Sequence, residues 1–293
     1  MTHYLRQLLS LLPLLVFSIA LSSWTTVQAA DLVWPGEKVD TWNGFTRHLF
    51  EVDGCKAWVV EPKTALPGKP WSWCMAFPEH NVKEMTTPEL LAAGFHYAYI
   101  EVGNTFGSPT AVKHFVAFHS AMVEKGLAPK VALVGISRGG LCAYRFTSEN
   151  PEKVAVIYGD APVCDFKSWP AGKGKGKGSP KDWAELLTSY HFADEAEALA
   201  YTFNPIDILP VLATAKIPLI HVVGDKDDAV PVAENTSIVE QRYRALGGVI
   251  EVIHKPNAGH THGLPDSTPV VKFIMEHSLK QFEVQKKAIQ PAK

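Results

Sequence analysis

The stretch KVALVGISRGGLCAYRF, from Lys130 to Phe146, constrains this chain more than any other. It holds a continuous apolar run, a serine between glycines, and then residues at helical spacing. A buried strand that turns at once into a helix forces its turn residue into a strained conformation. Small neighbours are needed there because strand and helix crowd each other. Gly135 and Gly139 supply them on either side of Ser137. The Ser137 hydroxyl is then held clear of the backbone at the C-terminal edge of a sheet. The backbone N–H of Arg138, at the helix start, can donate to an oxyanion. Ser137 is therefore the expected nucleophile.

A serine nucleophile needs a base, and the base needs an orienting carboxylate. Both are sought at the ends of later strands. PLIHVVGDKDDAVPV places Asp225, Asp227 and Asp228 just past an apolar strand. VIEVIHKPNAGHTHG places His254, His260 and His262 just past the next. Asp160, ending VAVIYGD, is a competing acid, one strand earlier. Asp225 and Asp228 also suit solvated turn positions or helix caps. His262 could be the base or could line the pocket. Two histidines without a nearby cysteine or a third ligand make a poor zinc site, so neither a metal nor a cofactor is expected.

The flanking chain reads FTRHLFEV, KAWVVEP, PWSWCMAF and FHYAYIEV as strands, then KVALVGI, KVAVIYGDAP, IPLIHVVGD and GVIEVIHKP as buried ones, alternating with amphipathic helices. Such alternation implies a mostly parallel central sheet with helices on both faces. The domain is expected over 30–282, with a flexible tail over 283–293. An insertion from Cys164 to about Asp207 follows the sixth strand and contains AGKGKGKGSP, a low-complexity segment expected over one end of the sheet.

Residues 1–29 carry Arg6, an apolar run and the small residues Val27 and Ala29, which read as a secretory signal. The mature protein is then expected to be periplasmic or extracellular, without a stable membrane anchor. Four cysteines, Cys55, Cys74, Cys142 and Cys164, are too sparse for a disulfide scaffold. They permit three full pairings or free thiols. A net charge of −2 gives no sign of a nucleic-acid partner. Oligomeric state is not legible.

The order Ser, Asp, His resembles that of the α/β-hydrolase superfamily. In that superfamily a Gly-x-x-Asp-x-x-Val-Pro pattern carries the acid. Here it falls on Gly224, Asp227, Val230 and Pro231, so the resemblance selects Asp227. A Gly-His pair after the last strand selects His260. GISRGG, DAPVCDFKSWP and HTHG are similar to secreted bacterial esterase-like and prolyl-oligopeptidase-like hydrolases. The resemblance implies an α/β-hydrolase fold, with a second oxyanion donor in CMAFPEH at Ala76 or Phe77.

Glu101 and Asn104 are expected to face the cleft. Trp169 and Trp183, flanking the lysines of the insertion, suit a sugar acid. The expected activity is metal-free hydrolysis of a carboxylic ester, on a small molecule or a glycan. The alternatives are a small peptidase, with Glu101 holding a free amino terminus, and an inactive binding protein on the same scaffold.

Overall fold

The computed structural model describes residues 35–80 and 86–289, with side chains through Phe282. The expected signal over 1–29 and the last four residues of the expected tail lie outside them.

A single sheet holds the strands β1 (Lys38–Trp42), β2 (Phe45–Val52), β3 (Cys55–Val60), β4 (Trp71–Cys74), β5 (His96–Ile100), β6 (Val131–Ile136), β7 (Val154–Asp160), β8 (Leu219–Gly224) and β9 (Ile250–Lys255). Their order is β1-β2-β3-β5-β4-β6-β7-β8-β9. The first three strands and β5 pair antiparallel, and every pairing from β5 to β9 is parallel. The sheet is thus an α/β-hydrolase sheet, mostly parallel, as the alternation of elements implies.

Strand β1 was not expected. KVDTW buries only Trp42, and the strand lies at the sheet edge, held by backbone pairing to β2. An edge strand with one buried side chain leaves no apolar run to read. The insertion therefore follows the seventh strand rather than the sixth.

The helices are α1 (Thr87–Ala92), α2 (Pro109–Glu124), α3 (Gly139–Glu149), α4 (Pro180–Tyr190), α5 (Glu195–Ala200), α6 (Leu209–Thr214), α7 (Thr236–Ala245) and α8 (Thr268–Ile289). Helix α8 continues to Ile289, so residues 283–289 are helical rather than a loose tail.

Apolar side chains divide between two clusters. One gathers Trp73, Phe115, Phe118, Phe146, Leu212 and Tyr243. The other gathers Leu90, Phe95, Tyr97, Val270, Phe273 and Ile274. Neighbouring residues of one strand, such as Leu133 and Val134, go to different clusters, because successive side chains leave a strand on opposite faces. That is why β6 to β8 are mostly apolar and buried along their whole length, with Asp160 and His221 as their buried polar members.

The insertion carries α4 and α5, with no strand among its residues. Its Phe166, Leu186 and Tyr190 form a small core with Phe106, Leu141, Val163 and Val230 from outside it. This core spans the C-terminal ends of β6 and β7, the edge where Ser137 emerges.

Candidate active site

Ser137 is the single residue between β6 and Arg138, the cap residue of α3, and its φ is +49°. A non-glycine residue in this left-handed region costs of order 1–3 kcal/mol and persists only where its surroundings fix it. Here the fixing is close packing. A β-carbon at Gly135 would lie 3.0 Å from the Gly139 carbonyl oxygen. One at Gly140 would lie 2.7 Å from the Val163 carbonyl oxygen. Gly140, more than Gly139, is thus the glycine that lets α3 start against the chain leaving β7. Ser137 also donates its N–H to Asp160 O and accepts from Val163 N, so both ends of its peptide are held by the next strand.

Ser137 Oγ lies 3.0 Å from His260 Nε2. His260 Nδ1 lies 2.7 Å from Asp227 Oδ2. The other oxygen of Asp227 accepts the N–H groups of Ala229 at 3.0 Å and Val230 at 2.8 Å. The Asp227 side chain is 1% exposed and that of His260 is 23% exposed. The carboxylate is dry and fully occupied, while the imidazole stays reachable. A hydroxyl, an imidazole and a buried carboxylate in this series can move a proton off Ser137 and return it to a leaving group.

The other acids go elsewhere. Asp225 takes His254 Nδ1 at 2.7 Å on an exposed surface. Asp228 faces Lys177 Nζ at 2.8 Å, and the hydrogen bond from that lysine holds its carboxyl below the ordinary range. Asp160 is fully buried. One of its oxygens accepts from Gly263 N at 2.7 Å and Tyr158 OH at 2.9 Å; the other faces His262 Nδ1 at 3.5 Å. His262 stacks edge-on to His260, with ring centroids 5.0 Å apart.

A pocket of about 260 Å³ opens over Ser137. Phe77, His80, Trp169, Ala229, Val230, His260 and His262 line it. Of the two residues expected to carry the second oxyanion donor, Phe77 lines this pocket and Ala76 precedes it. A β-carbon at Gly139 would lie 3.2 Å from the Ala76 β-carbon, so this loop packs against the start of α3. Phe77 has φ +58°. Trp169 and His262 both line this pocket.

Three expected pocket residues fall outside it. Glu101 lies against a separate groove with Arg47, Lys56 and Trp58, because its N–H pairs with Lys56 O and continues the pairing of β5 with β3. Asn104 donates through Nδ2 to Glu185 of α4 at 2.9 Å. Trp183 joins the small core of the insertion, beside Phe166. His80 was missed, although it ends the CMAFPEH segment expected to hold the second donor. Nothing in its neighbours distinguishes it from a solvated loop histidine.

The Gly-Lys segment is tethered, while its lysines stay exposed. Glu234 accepts Lys175 N at 2.6 Å and Ser168 Oγ at 2.7 Å. Lys173 pairs with Glu195 and Lys177 with Asp228. All four cysteines are free thiols, and three of them are buried. Among the described residues no cluster of side chains could hold a metal ion, and no helix is long and apolar enough to cross a membrane.

The sheet, the serine turn and the hydrogen-bonded imidazole and carboxylate define a serine hydrolase of the α/β-hydrolase fold. The chain belongs to the prolyl oligopeptidase family, whose model matches residues 90–281. It is 26% identical over 157 residues to acylamino-acid-releasing enzyme 2 of Oryza sativa subsp. japonica, which covers 50% of this chain and 19% of that relative. Its fold resembles dipeptidyl peptidase 4 of Porphyromonas gingivalis, with a TM-score of 0.59 and 13% identity over 82% of this chain and 35% of that one. It also resembles Est1E of Butyrivibrio proteoclasticus, with a TM-score of 0.56 and 13% identity over 85% of this chain and all of that one. The chain thus spans well under half the length of the rice relative and of the Porphyromonas peptidase.

Proposed function

We propose that the protein cleaves an acyl–amide bond of a small substrate through an acyl-enzyme on Ser137. The observation that carries this reading is the unbroken series from Ser137 Oγ to His260 to Asp227. Ser137 attacks the carbonyl carbon while its proton passes to His260 Nε2. The backbone N–H of Arg138 and that of Ala76 or Phe77 take the charge that gathers on the carbonyl oxygen. His260 then gives its proton to the leaving amine, and water repeats the sequence to release the acid. Membership of a peptidase family supports an amide over an ester.

The pocket supports a blocked substrate. No described residue lining it carries a carboxylate, the group that would hold a free ammonium. Glu101, the expected partner for such a terminus, stands in another groove. The rice relative is named for release of acylamino acids, and a pocket walled by Phe77, Trp169 and Val230 suits an apolar acyl end. A carboxylic ester, free or on a sugar, is the second reading, favoured by the side chain of Trp169 on the pocket wall.

One comparison decides between them. Purified protein is assayed on N-acetyl-alanyl p-nitroanilide, alanyl p-nitroanilide and the p-nitrophenyl ester of the same acyl group, beside acetylated sugars. The blocked anilide should exceed the free one in kcat/KM. Turnover of esters alone would overturn the amide reading. The export expected from residues 1–29 is tested by the N-terminal sequence of the protein recovered from its native host.

A further inference from the structure

The Arg138 side chain lies where the two halves of the oxyanion site meet the insertion. Its guanidinium sits over the Phe77 ring at 4.8 Å and over the Phe106 ring at 5.8 Å. Its Nη1 donates to Asp182 Oδ1 at 3.0 Å. Asp182 belongs to the first turn of α4, where its N–H is capped by Ser179 Oγ. The same helix reaches back to the loop carrying Phe106. Asn104 donates to Glu185, Ser189 to Asn104 O, and Tyr190 to Phe106 O at 2.9 Å. These contacts close a ring from Arg138 through Asp182 and α4 to Phe106 and back, and Phe77 joins it through the same guanidinium.

Both aromatic residues under the guanidinium hold strained backbone: Phe77 has φ +58° and Phe106 has φ +52°. Such residues keep their conformation only if the surroundings over-determine it. The direction of the Phe77 peptide N–H follows from that φ. A planar guanidinium can stack on two rings and still donate edge-on to a carboxylate, which a lysine ammonium cannot do. Arg138 thereby fixes, with its side chain, the loop that faces its own backbone N–H across the site.

We infer that Arg138 is a positioning residue, through which the insertion sets the geometry of the oxyanion site. The inference rests on Ser137 as the nucleophile. It assigns the guanidinium a role through placement, not through charge, because Asp182 neutralises it.

The test is the rate at which an alkyl fluorophosphonate labels the full chain. Ser137 Oγ bonds to phosphorus as the P–F bond breaks and fluoride leaves. The serine proton goes to His260, and negative charge builds on the phosphoryl oxygen in the same site. Removing an oxyanion donor outright costs roughly 10²–10³-fold, so a displaced one should cost about 10–100-fold. R138A should label slower by that factor. On p-nitrophenyl acetate its kcat should fall equally, with KM nearly unchanged. R138K should recover only a small part, D182A should approach R138A, and the double variant should be no slower than R138A. Circular dichroism and melting curves establish that the variants are folded.

Failure of the wild-type chain to label at Ser137 would remove the nucleophile, independently of Arg138. A wild type that labels, with D182A or folded R138A at its rate, overturns the inference. Faster labelling of D182A would mean that the guanidinium acts as a bare charge, and overturns it equally. D182A alters an ion pair at the edge of the insertion, so it decides the matter even if R138A fails to fold.

Discussion

His262 Nδ1 lies 3.5 Å from Asp160 Oδ1, which places a second imidazole–carboxylate pair beside His260 and Asp227. Only His260 reaches Ser137. Asp160 instead holds the loop that follows His260, through Gly263 N. Asp227→Asn should therefore lower kcat on the order of 10⁴-fold by misdirecting the His260 tautomer. Asp160→Asn should cost far less in turnover and more in melting temperature. Steady-state rates and melting curves on both variants check this. The reverse ranking of turnover would transfer the acid to β7.

Ser137→Ala should reduce turnover by roughly 10⁴-fold or more, with the fold intact. His260→Ala should cost a similar factor, and the double variant little beyond either, because the two groups act as one unit. If His262→Ala lost activity while His260→Ala kept it, the base would be His262.

Trp169 and Trp183, equivalent in the sequence, should separate by assay. Trp169 walls the pocket and also packs against the small core around the insertion, beside Phe106, so Trp169→Ala should raise KM severalfold and also lower the melting temperature. Trp183 packs against Phe166 in the core of the insertion, so Trp183→Ala should destabilise by about 2 kcal/mol with KM nearly unchanged. Equal effects of the two on KM would contradict the observed placement.

A β-carbon at Gly174 would run into the Glu234 carboxylate, the group that holds Lys175 N and Ser168. Gly174→Ala should therefore displace that carboxylate, cost about 1 kcal/mol through the hydrogen bonds it makes, and open the segment to proteolysis. Replacing Lys173, Lys175, Lys177 and Lys181 together with Gln should change turnover of a small neutral substrate little. Their exposed ion pairs contribute little each. A strong salt-dependent loss on anionic glycans alone would favour the sugar-ester reading.

Burial lowers the pKa of three histidines: His96 and His119 to about 4, and His221 to about 3. His221 lies between Tyr144 OH at 2.9 Å and Thr236 Oγ1 at 3.0 Å. The unfolded chain takes up these protons near pH 6.5 and the folded one resists until far lower. Their contribution is thus complete above about pH 6.5 and is lost as pH falls toward 3–4. Each should remove about 2 kcal/mol between pH 7 and pH 5. Urea unfolding at both values should show the loss, and His221→Gln should be less acid-sensitive than its parent. An equal pH dependence would mean that His221 is already charged in the folded state.

The sequence by itself determined the parallel strands, the helices between them and the serine turn. Each of these depends on residues within one short segment: unbroken apolar runs for strands buried on both faces, and glycines where strand meets helix. Parallel strands deliver their ends to one edge, which left Ser137, four aspartates and three histidines as candidates, and the resemblance to the α/β-hydrolase superfamily chose Asp227 and His260 among them. Ser137 and His260 thus converge across 123 positions without any loop having to be known.

Only the tertiary structure decided where side chains beyond those strand ends go. Glu101 and Asn104 leave the end of β5 as promisingly as Asp227 leaves β8. Yet a backbone pair to Lys56 and a bond to Glu185 draw them away. The Gly-Lys segment has no apolar period, and nothing near it in sequence shows what holds it. Its exposed backbone is tethered by the Glu234 carboxylate, 59 residues beyond Lys175. Periodicity reports burial of a regular element against a core. It carries no signal for a loop fixed by single hydrogen bonds to distant carboxylates, and such bonds settle the pocket wall and the Arg138 brace.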